Sequence, residues 1–216
     1  MKHLLRVSTV LAASMLATPA SAQPRAQSDT FVRLGVAHID LADNGPVFVN
    51  GVQDPSADYS TDKDWIGSIE VGHFLHPNVA VRLAGTTPAK TFNLPAGSLA
   101  GTPNLFDDTS SNFTLTATWH PLRGQVFSPY VGGGIGLNKI WKTQERLATD
   151  VKLSDSHGPV IQAGVEVDVS DRFGVYFDAK KGFWSADASG FLGPLRITAE
   201  AELDPVILQA GVLFRF

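Results

Sequence analysis

The chain has 216 residues, of which 44% are apolar and 18% charged, and its formal net charge is −4. This composition is too apolar for a disordered chain and too polar for a bundle of membrane helices, and the lack of a basic stretch argues against a nucleic-acid partner. The sequence contains no Cys, which excludes disulfides, thiolate catalysis and Cys-ligated metal centres.

The first 22 residues have the pattern of a secretory signal peptide. Lys2 and Arg6 precede an apolar run over residues 7–17, and an A-x-A cleavage pattern ends at Ala22. The run is shorter than the roughly 18–20 residues that a membrane-spanning helix needs, which favours a cleaved signal over a membrane anchor. We therefore expect a signal peptide over residues 1–22 and one mature domain over residues 23–216. An exported chain without Cys is typical of the bacterial envelope.

The mature chain alternates apolar and polar residues with a period of two, which predicts strands with unlike faces. In the clearest case Phe113, Leu115, Ala117 and Trp119 alternate with polar residues. Short turns and long polar connections also alternate, which predicts an all-β fold: an eight-stranded antiparallel up-and-down transmembrane β-barrel with short periplasmic turns and long extracellular loops. The predicted strands are residues 30–39, 64–74, 79–87, 112–120, 130–139, 158–169, 173–181 and 205–216.

The placement of charge distinguishes a membrane barrel from a soluble lipocalin-like barrel, whose apolar face would point inward. Away from the strand ends, every charged strand residue lies on the face opposite the apolar stripe. A charge facing lipid near the midplane costs about 2–4 kcal/mol, so a stripe free of charge is what a lipid-facing surface requires. The inward charges balance and are expected to pair within the barrel. This predicted lumen charge network is Arg33, Glu70, Arg82, Glu166, Asp168, Asp178, Lys180 and Arg215.

The last strand ends in a pattern that resembles the outer-membrane insertion signal. Gly211 is followed by Phe214 and by the terminal Phe216. An ordinary hydrophobic final strand is the alternative interpretation. Following a signal peptide, the pattern predicts the outer membrane of a Gram-negative bacterium, with recognition of the C-terminal strand by the barrel-assembly machinery.

Several stretches together resemble the OmpW family of small outer-membrane proteins, which includes alkane-uptake channels of the AlkL type. The resemblance rests on residues 31–35, 79–88, 128–138, 153–156 and 163–166 and on the Leu-Asp-Pro of residues 203–205. It implies an eight-stranded barrel with a narrow apolar pocket that opens outward. It also implies passage of small hydrophobic molecules, which leave sideways through a gap in the wall.

Motifs for other chemistry are incomplete. The glycine-rich stretch at residues 132–139 lacks the Lys-Ser/Thr step of a phosphate loop. His73 and His76 flank a predicted turn and suit surface positions better than a metal site. Asp155, Ser156 and His157 are consecutive and cannot align as a catalytic triad. We therefore predict no catalytic residue, metal or cofactor.

Four tryptophans lie at predicted strand ends, where an amphipathic ring suits the membrane interface. They are Trp65, Trp119, Trp141 and Trp184, and for the last two an apolar gate is the alternative. The connection over residues 182–199 is unusually apolar for an exposed loop. We expect an apolar entry funnel at the extracellular end; capping of the barrel or contact with lipopolysaccharide is the alternative role. The predicted funnel residues are Phe92, Leu94, Leu99, Phe106, Trp141, Trp184, Phe191 and Leu195.

These observations favour a passive outer-membrane channel for small hydrophobic molecules. Its expected partners are those ligands, outer-membrane lipid, lipopolysaccharide and the assembly machinery. Two alternatives stay open: a plugged structural barrel whose loops contact phage, host or envelope partners, and a lipid-modifying enzyme. Nothing in the sequence indicates an oligomeric state.

Overall fold

The computed structural model describes residues 28–41, 46–61, 65–97 and 103–216. The predicted signal peptide and Leu99 lie outside these residues. Within the described ranges, no helix has the length and apolar character needed to cross a bilayer. The strands are β1 (Thr30–Asp40), β2 (Val47–Val49), β3 (Val52–Gln53), β4 (Ala57–Thr61), β5 (Trp65–His76), β6 (Val79–Thr86), β7 (Ala89–Gly97), β8 (Phe106–Trp119), β9 (Phe127–Glu145), β10 (Thr149–Leu153), β11 (Ser156–Asp168), β12 (Phe173–Gly182), β13 (Ser185–Leu192), β14 (Leu195–Glu202) and β15 (Val206–Arg215).

Eight of the described strands close into an antiparallel barrel. Their order around the wall is β1, β5, β6, β8, β9, β11, β12 and β15, and β15 pairs back onto β1 from Phe31 opposite Arg215 to Asp40 opposite Val206. This closed barrel confirms the predicted fold class. A barrel of eight strands has an interior just wide enough to be filled by side chains.

The period of two places the apolar stripe on the outside of the barrel. Along β8, Leu115 is 46% exposed and the next residue, Thr116, is 2% exposed. The same alternation runs around the wall, and the eight charged strand residues lie inside. An apolar-outside surface is the arrangement that acyl chains require. The soluble barrel with an apolar interior is therefore wrong.

The two ends of the barrel differ. At one end, short connections join β5 to β6, β8 to β9 and β11 to β12. At the other end, the four long connections contain seven further strands, which the sequence analysis did not predict. β10, β13, β14, β2 and β3 form a second sheet at this end, while β4 and β7 extend the barrel sheet beside β8. Turn-forming residues are frequent in these connections, but period-two stretches between them are long enough to pair.

Candidate ligand-binding site

The half of the barrel next to the short turns, called the lower lumen below, is filled by paired charges. Glu70 accepts from the guanidinium groups of Arg33 at 3.0 Å and Arg82 at 3.2 Å, and the Lys180 ammonium lies 3.4 Å away. Glu166 contacts Arg33, lies 3.1 Å from Arg82 and accepts from Arg215 at 2.5 Å. Buried charges persist only when they are paired and hydrogen-bonded, so these contacts hold the network in place.

Polar side chains extend this network upward. Asp178 accepts from the Tyr130 hydroxyl at 2.5 Å, from the Gln162 amide at 2.7 Å and from the Lys180 ammonium at 2.7 Å. Thr116 donates to Gln162 at 2.7 Å. At the base, Asp168 pairs with Arg215. All eight predicted lumen charges are thus brought together in one connected cluster that occupies the lower lumen.

Trp184 lies inside the barrel above this cluster. It is 6% exposed, and its ring fits where three neighbouring strand positions are glycine. A Cβ built at Gly136 would lie 2.6 Å from the ring, one at Gly182 2.3 Å, and one at Gly158 3.0 Å from the Trp184 Cβ. Glycine is required for such a close approach. The prediction that Trp184 belongs to an interfacial girdle is therefore wrong.

The main cavity lies at the outer end, between the barrel rim and the second sheet. It encloses about 1180 Å³, its open mouth included. Small and aliphatic side chains of β10, β13 and β14 form much of one wall, and residues from β7, β8 and β9 form the other. Its lining residues include Leu41, Val47, Leu105, Phe106, Ile140, Ala148, Val151, Leu153, Ala186, Ala188, Phe191, Ile197, Ala199 and Leu203, with Asn93, Asp108, Ser110 and Asn138 as polar groups.

A smaller cavity of about 610 Å³ adjoins the main one and shares Leu41, Thr91, Ser110, Asn138 and Leu203 with its lining. Its own walls include Trp184, together with Ile66 of β5 and Ala89 of β7. It therefore lies directly above the charged lower lumen and reaches the strand wall.

The wall is interrupted beside this smaller cavity. The β5–β6 ladder ends with Ser68 opposite Thr86, and β4 and β7 pair in the same register from Thr61 opposite Asn93. Between them lies Pro88, which has no N–H to donate. In the described part of these strands, no ladder pair joins Trp65 or Ile66 to β6 or β7, whereas both residues pair with β1 on their other side. The interruption is local, because the strands pair in the same register on both sides of it.

The predicted funnel residues divide into three groups. Phe106 and Phe191 line the main cavity and Trp184 the smaller one. Phe92, Trp141 and Leu195 are not among the lining residues of these two cavities, and their assignment to the funnel stays a prediction. The side chain of Leu94 and all of Leu99 lie outside what the structure describes.

Local geometry separates Phe92, Trp141 and Leu195 from the two cavities. Phe92 points outward because Thr91 and Asn93, its neighbours on β7, point into the main cavity. Trp141 occupies a bulge in β9 opposite Thr109 and Ser110, and its indole N–H donates to the Ser111 hydroxyl at 3.0 Å on the outer surface. Leu195 begins β14 just beyond the hairpin turn, where it is exposed.

The sequence analysis missed the alanines of the cavity wall. The main cavity is lined by Ala186 and Ala188 on β13 and by Ala199 on β14. Asp187, between the two alanines of β13, and Glu200, next to Ala199, are not among its lining residues. Alanine alternating with polar residues over residues 185–189 and 198–202 is a period-two pattern. The alternation was visible in the sequence, but alanine is only weakly hydrophobic, so the contrast between successive residues was too small to predict strands.

An ion pair holds the loop before β11 against β9 at the rim of the barrel. Asp155 accepts from the Lys139 ammonium at 2.5 Å and from the Ile140 backbone N–H at 2.9 Å. These hydrogen bonds hold the pKa of Asp155 below its usual range, with the Lys139 contact as the larger cause. The carboxylate is therefore charged at neutral pH and secures the end of the cavity wall formed by β10.

Two of the three predicted insertion-signal residues lie together at the periplasmic end. Phe214 and Phe216 form an outward aromatic group with Phe173, with ring centroids 5.0 Å apart for Phe173–Phe214 and 5.7 Å for Phe214–Phe216. Gly211 pairs with Gly35 of β1. The terminal strand thus presents its aromatic residues to the membrane side of the wall.

Comparison with known proteins places the chain among outer-membrane barrels. The OmpW family model matches residues 26–216. An uncharacterised outer-membrane protein of Sinorhizobium fredii, y4mB, is 33% identical over 78% of this chain and 72% of its own length. The dibenzothiophene metabolism operon protein PahQ of Pseudomonas aeruginosa is 25% identical over 91% and 92%. The crystal structure of OprG from Pseudomonas aeruginosa superposes with a TM-score of 0.82 at 20% identity, covering 88% of this chain and 96% of OprG.

Proposed function

Because the chain belongs to the OmpW family and is an outer-membrane β-barrel, we propose that it is a passive uptake channel for small hydrophobic molecules. One observation carries the proposal: a largely apolar cavity opens at the extracellular end while paired charges fill the lumen below it. An apolar solute can enter such a cavity by losing its contact with water, but it gains nothing by passing through a charged lumen.

The interruption at Pro88 supports a lateral exit. The smaller cavity reaches it through Ile66 and Ala89, and Trp65 beside it is exposed on the outside of the wall at the extracellular end of β5. Tryptophan marks the level of the membrane interface. A hydrophobic solute leaving here would enter acyl chains rather than water, so its transfer is downhill at each step.

Passive transfer requires no covalent step, so we propose a channel rather than an enzyme. The carboxylates of the lower lumen are each paired with a cation, which leaves them acting as structural counter-ions. The name of PahQ connects that protein with an operon for an aromatic sulfur compound. Its similarity supports aromatic hydrocarbons as the first ligands to test.

The proposed role of the main cavity can be tested with a substitution that fills it. Cells that carry this barrel and an intracellular naphthalene-oxidising enzyme should form product faster at limiting naphthalene than cells without the barrel. Ala188→Trp places an indole in the main cavity and should lower the barrel-dependent rate about tenfold or more, since the ligand space is lost. Ala163→Trp makes the same change on the lipid-facing side of β11 and should keep the rate. Equal rates for Ala188→Trp and the unmodified barrel would contradict the proposal.

The exit is tested by a second filling substitution. Ala89→Trp occupies the smaller cavity beside the interruption, so ligand should still bind in the main cavity while the uptake rate falls about tenfold. Ala117→Trp on the outer face of β8 is the matched control. Unchanged uptake by a folded Ala89→Trp barrel would show that molecules leave by another route.

A further inference from the structure

Two cations on the outer face of the barrel converge on one buried carboxylate near the extracellular end. The Lys90 ammonium lies 2.9 Å from Oδ2 of Asp107, and the Arg146 guanidinium donates to the same oxygen at 2.8 Å. Asp107 is buried, whereas the side chains of Lys90 and Arg146 are still 41% and 49% exposed. One carboxylate neutralises only one of two cations, so the pair presents a net positive charge to its surroundings.

The strand register adds a third cation to this surface. Asp107 pairs with Phe92, which points outward, and residues paired across a ladder share a face. Thr109, two residues further along β8, points outward as well, and it pairs with Lys90 on β7 and with Lys142 on β9. Lys142 is exposed, and two strand spacings place it about 10 Å from Lys90. The basic patch is formed by Lys90, Lys142 and Arg146.

Aromatic and aliphatic side chains lie below the basic patch, toward the centre of the membrane. Trp141 precedes Lys142 on β9 and is exposed, and its ring packs edge-on against Phe113 with centroids 6.4 Å apart. Phe113 begins the apolar stripe of β8, which continues through the exposed Leu115. Tryptophan favours the membrane interface, so the basic patch lies at the level of the lipid headgroups. Positive charge and apolar surface are therefore stacked along one side of the wall.

We propose that the basic patch binds a phosphate group of lipopolysaccharide, whose acyl chains lie against Trp141 and the apolar stripe below it. This phosphorylated glycolipid carries its charge directly above its acyl chains, in the order in which the wall presents cations and apolar side chains. Free phosphate or a phosphopeptide would use the cations and leave the apolar surface without a partner. Guanidinium and ammonium groups are the side chains that recognise phosphate. The inference is independent of the proposed uptake function.

Binding of bisphosphorylated lipid A to the full barrel in detergent, followed by native mass spectrometry, tests the inference. The unmodified barrel should bind this lipid about tenfold or more tightly than the same glycolipid without phosphates. Lys142→Gln combined with Arg146→Gln should lower the affinity for bisphosphorylated lipid A about tenfold or more, since each cation near anionic lipid contributes about a fivefold gain. Lys152→Gln combined with Arg196→Gln removes the same charge from exposed positions on β10 and β14 and should leave this affinity unchanged.

A second variant keeps the test independent of the Asp107 pair. Lys142→Glu leaves both cations on Asp107 in place and should still lower the affinity about fivefold or more. Folding of each variant is checked by the heat-dependent gel shift of closed barrels.

Four results would each overturn the inference. Equal affinities of the patch variants and the control variant would show that these cations do not hold the lipid, and equal affinities for lipid A with and without phosphates would show that phosphate is not recognised. Equally tight binding of phosphatidylglycerol would reduce the basic patch to a general attraction for anionic lipid. Displacement of lipid A by millimolar inorganic phosphate would make it a site for the free anion.

Discussion

Glu166 contacts three cations of the lower lumen, as Glu70 does. It contacts the guanidinium groups of Arg33, Arg82 and Arg215, and Arg33 and Arg82 also reach Glu70. Aromatic faces add to this neutralisation, since the Arg82 guanidinium lies 4.0 Å from the centre of the Tyr130 ring. This carboxylate therefore links side chains contributed by three different strands.

Replacing Glu166 by Gln should destabilise the barrel strongly. The change removes one negative charge and leaves buried guanidinium groups uncompensated, which costs about 3–5 kcal/mol when one partner of a buried pair is lost. The expected result is a lower midpoint of urea-induced unfolding in lipid vesicles. Glu200→Gln on β14, where the carboxylate is exposed, should change stability by less than about 0.5 kcal/mol. Equal midpoints for the two variants would show that the network does not stabilise the fold.

The sequence is sufficient to place the charges but not the tryptophan above them. The period of two determines which face a strand residue occupies, so Arg33 and Glu166 are assignable from their neighbours alone. The position of Trp184 depends on glycines from β9, β11 and β12, which meet it only after the barrel closes. No pattern within residues 182–199 contains that information.

Among the elements, β15 closes the barrel and presents the terminal aromatic group. It pairs with β1 on one side and β12 on the other, and the backbone N–H of Phe216 donates to Thr30 at 3.2 Å. We propose that Phe214 and Phe216 are read by the assembly machinery before closure, because a strand edge is available for recognition only then.

Phe216→Ser should therefore lower the amount of barrel in the outer membrane more than it lowers the stability of the barrel that does assemble. The measurement is the folded fraction in isolated outer membranes, beside the unfolding midpoint of refolded protein. Phe127→Ser is the matched control, because Phe127 starts β9 at the same end and its exposure is 56% against 59% for Phe216. A similar loss for both variants would make the terminal residue an ordinary membrane contact.

The eight barrel strands were predictable, and the strands of the second sheet were not. A wall strand such as β8 carries large apolar residues at alternate positions because one face touches lipid. β13 and β14 present alanines to a cavity, so the hydrophobicity of successive residues differs little, and the Gly-Pro turn at residues 193–194 resembles a loop. Pairing between β14 and β2, which lie far apart in the chain, adds a long-range condition that local patterns do not report.

At the scale of the whole molecule, a largely apolar cavity lies above and paired charges fill the lumen below. The main cavity and the smaller cavity occupy the extracellular half, with Trp184 between them and the charge network. An ion crossing the lower lumen would have to displace side chains held by several charge-assisted hydrogen bonds, each stronger than a neutral one. Under the proposed function, we therefore expect the two halves of the barrel to have opposite permeabilities for ions and for apolar solutes.

We accordingly expect no steady ion conductance from the purified barrel in planar bilayers at neutral pH, while the same preparation binds naphthalene in nanodiscs. Buried pairs are screened little by salt, so raising the ionic strength should not open the lumen. Ala188→Trp should leave the conductance record unchanged and abolish naphthalene binding, because the indole fills the main cavity and does not contact the lumen charge network. A stepwise conductance in the unmodified barrel that Ala188→Trp removes would instead show that water and ions share the path of the ligand, and a lateral exit would then be unnecessary.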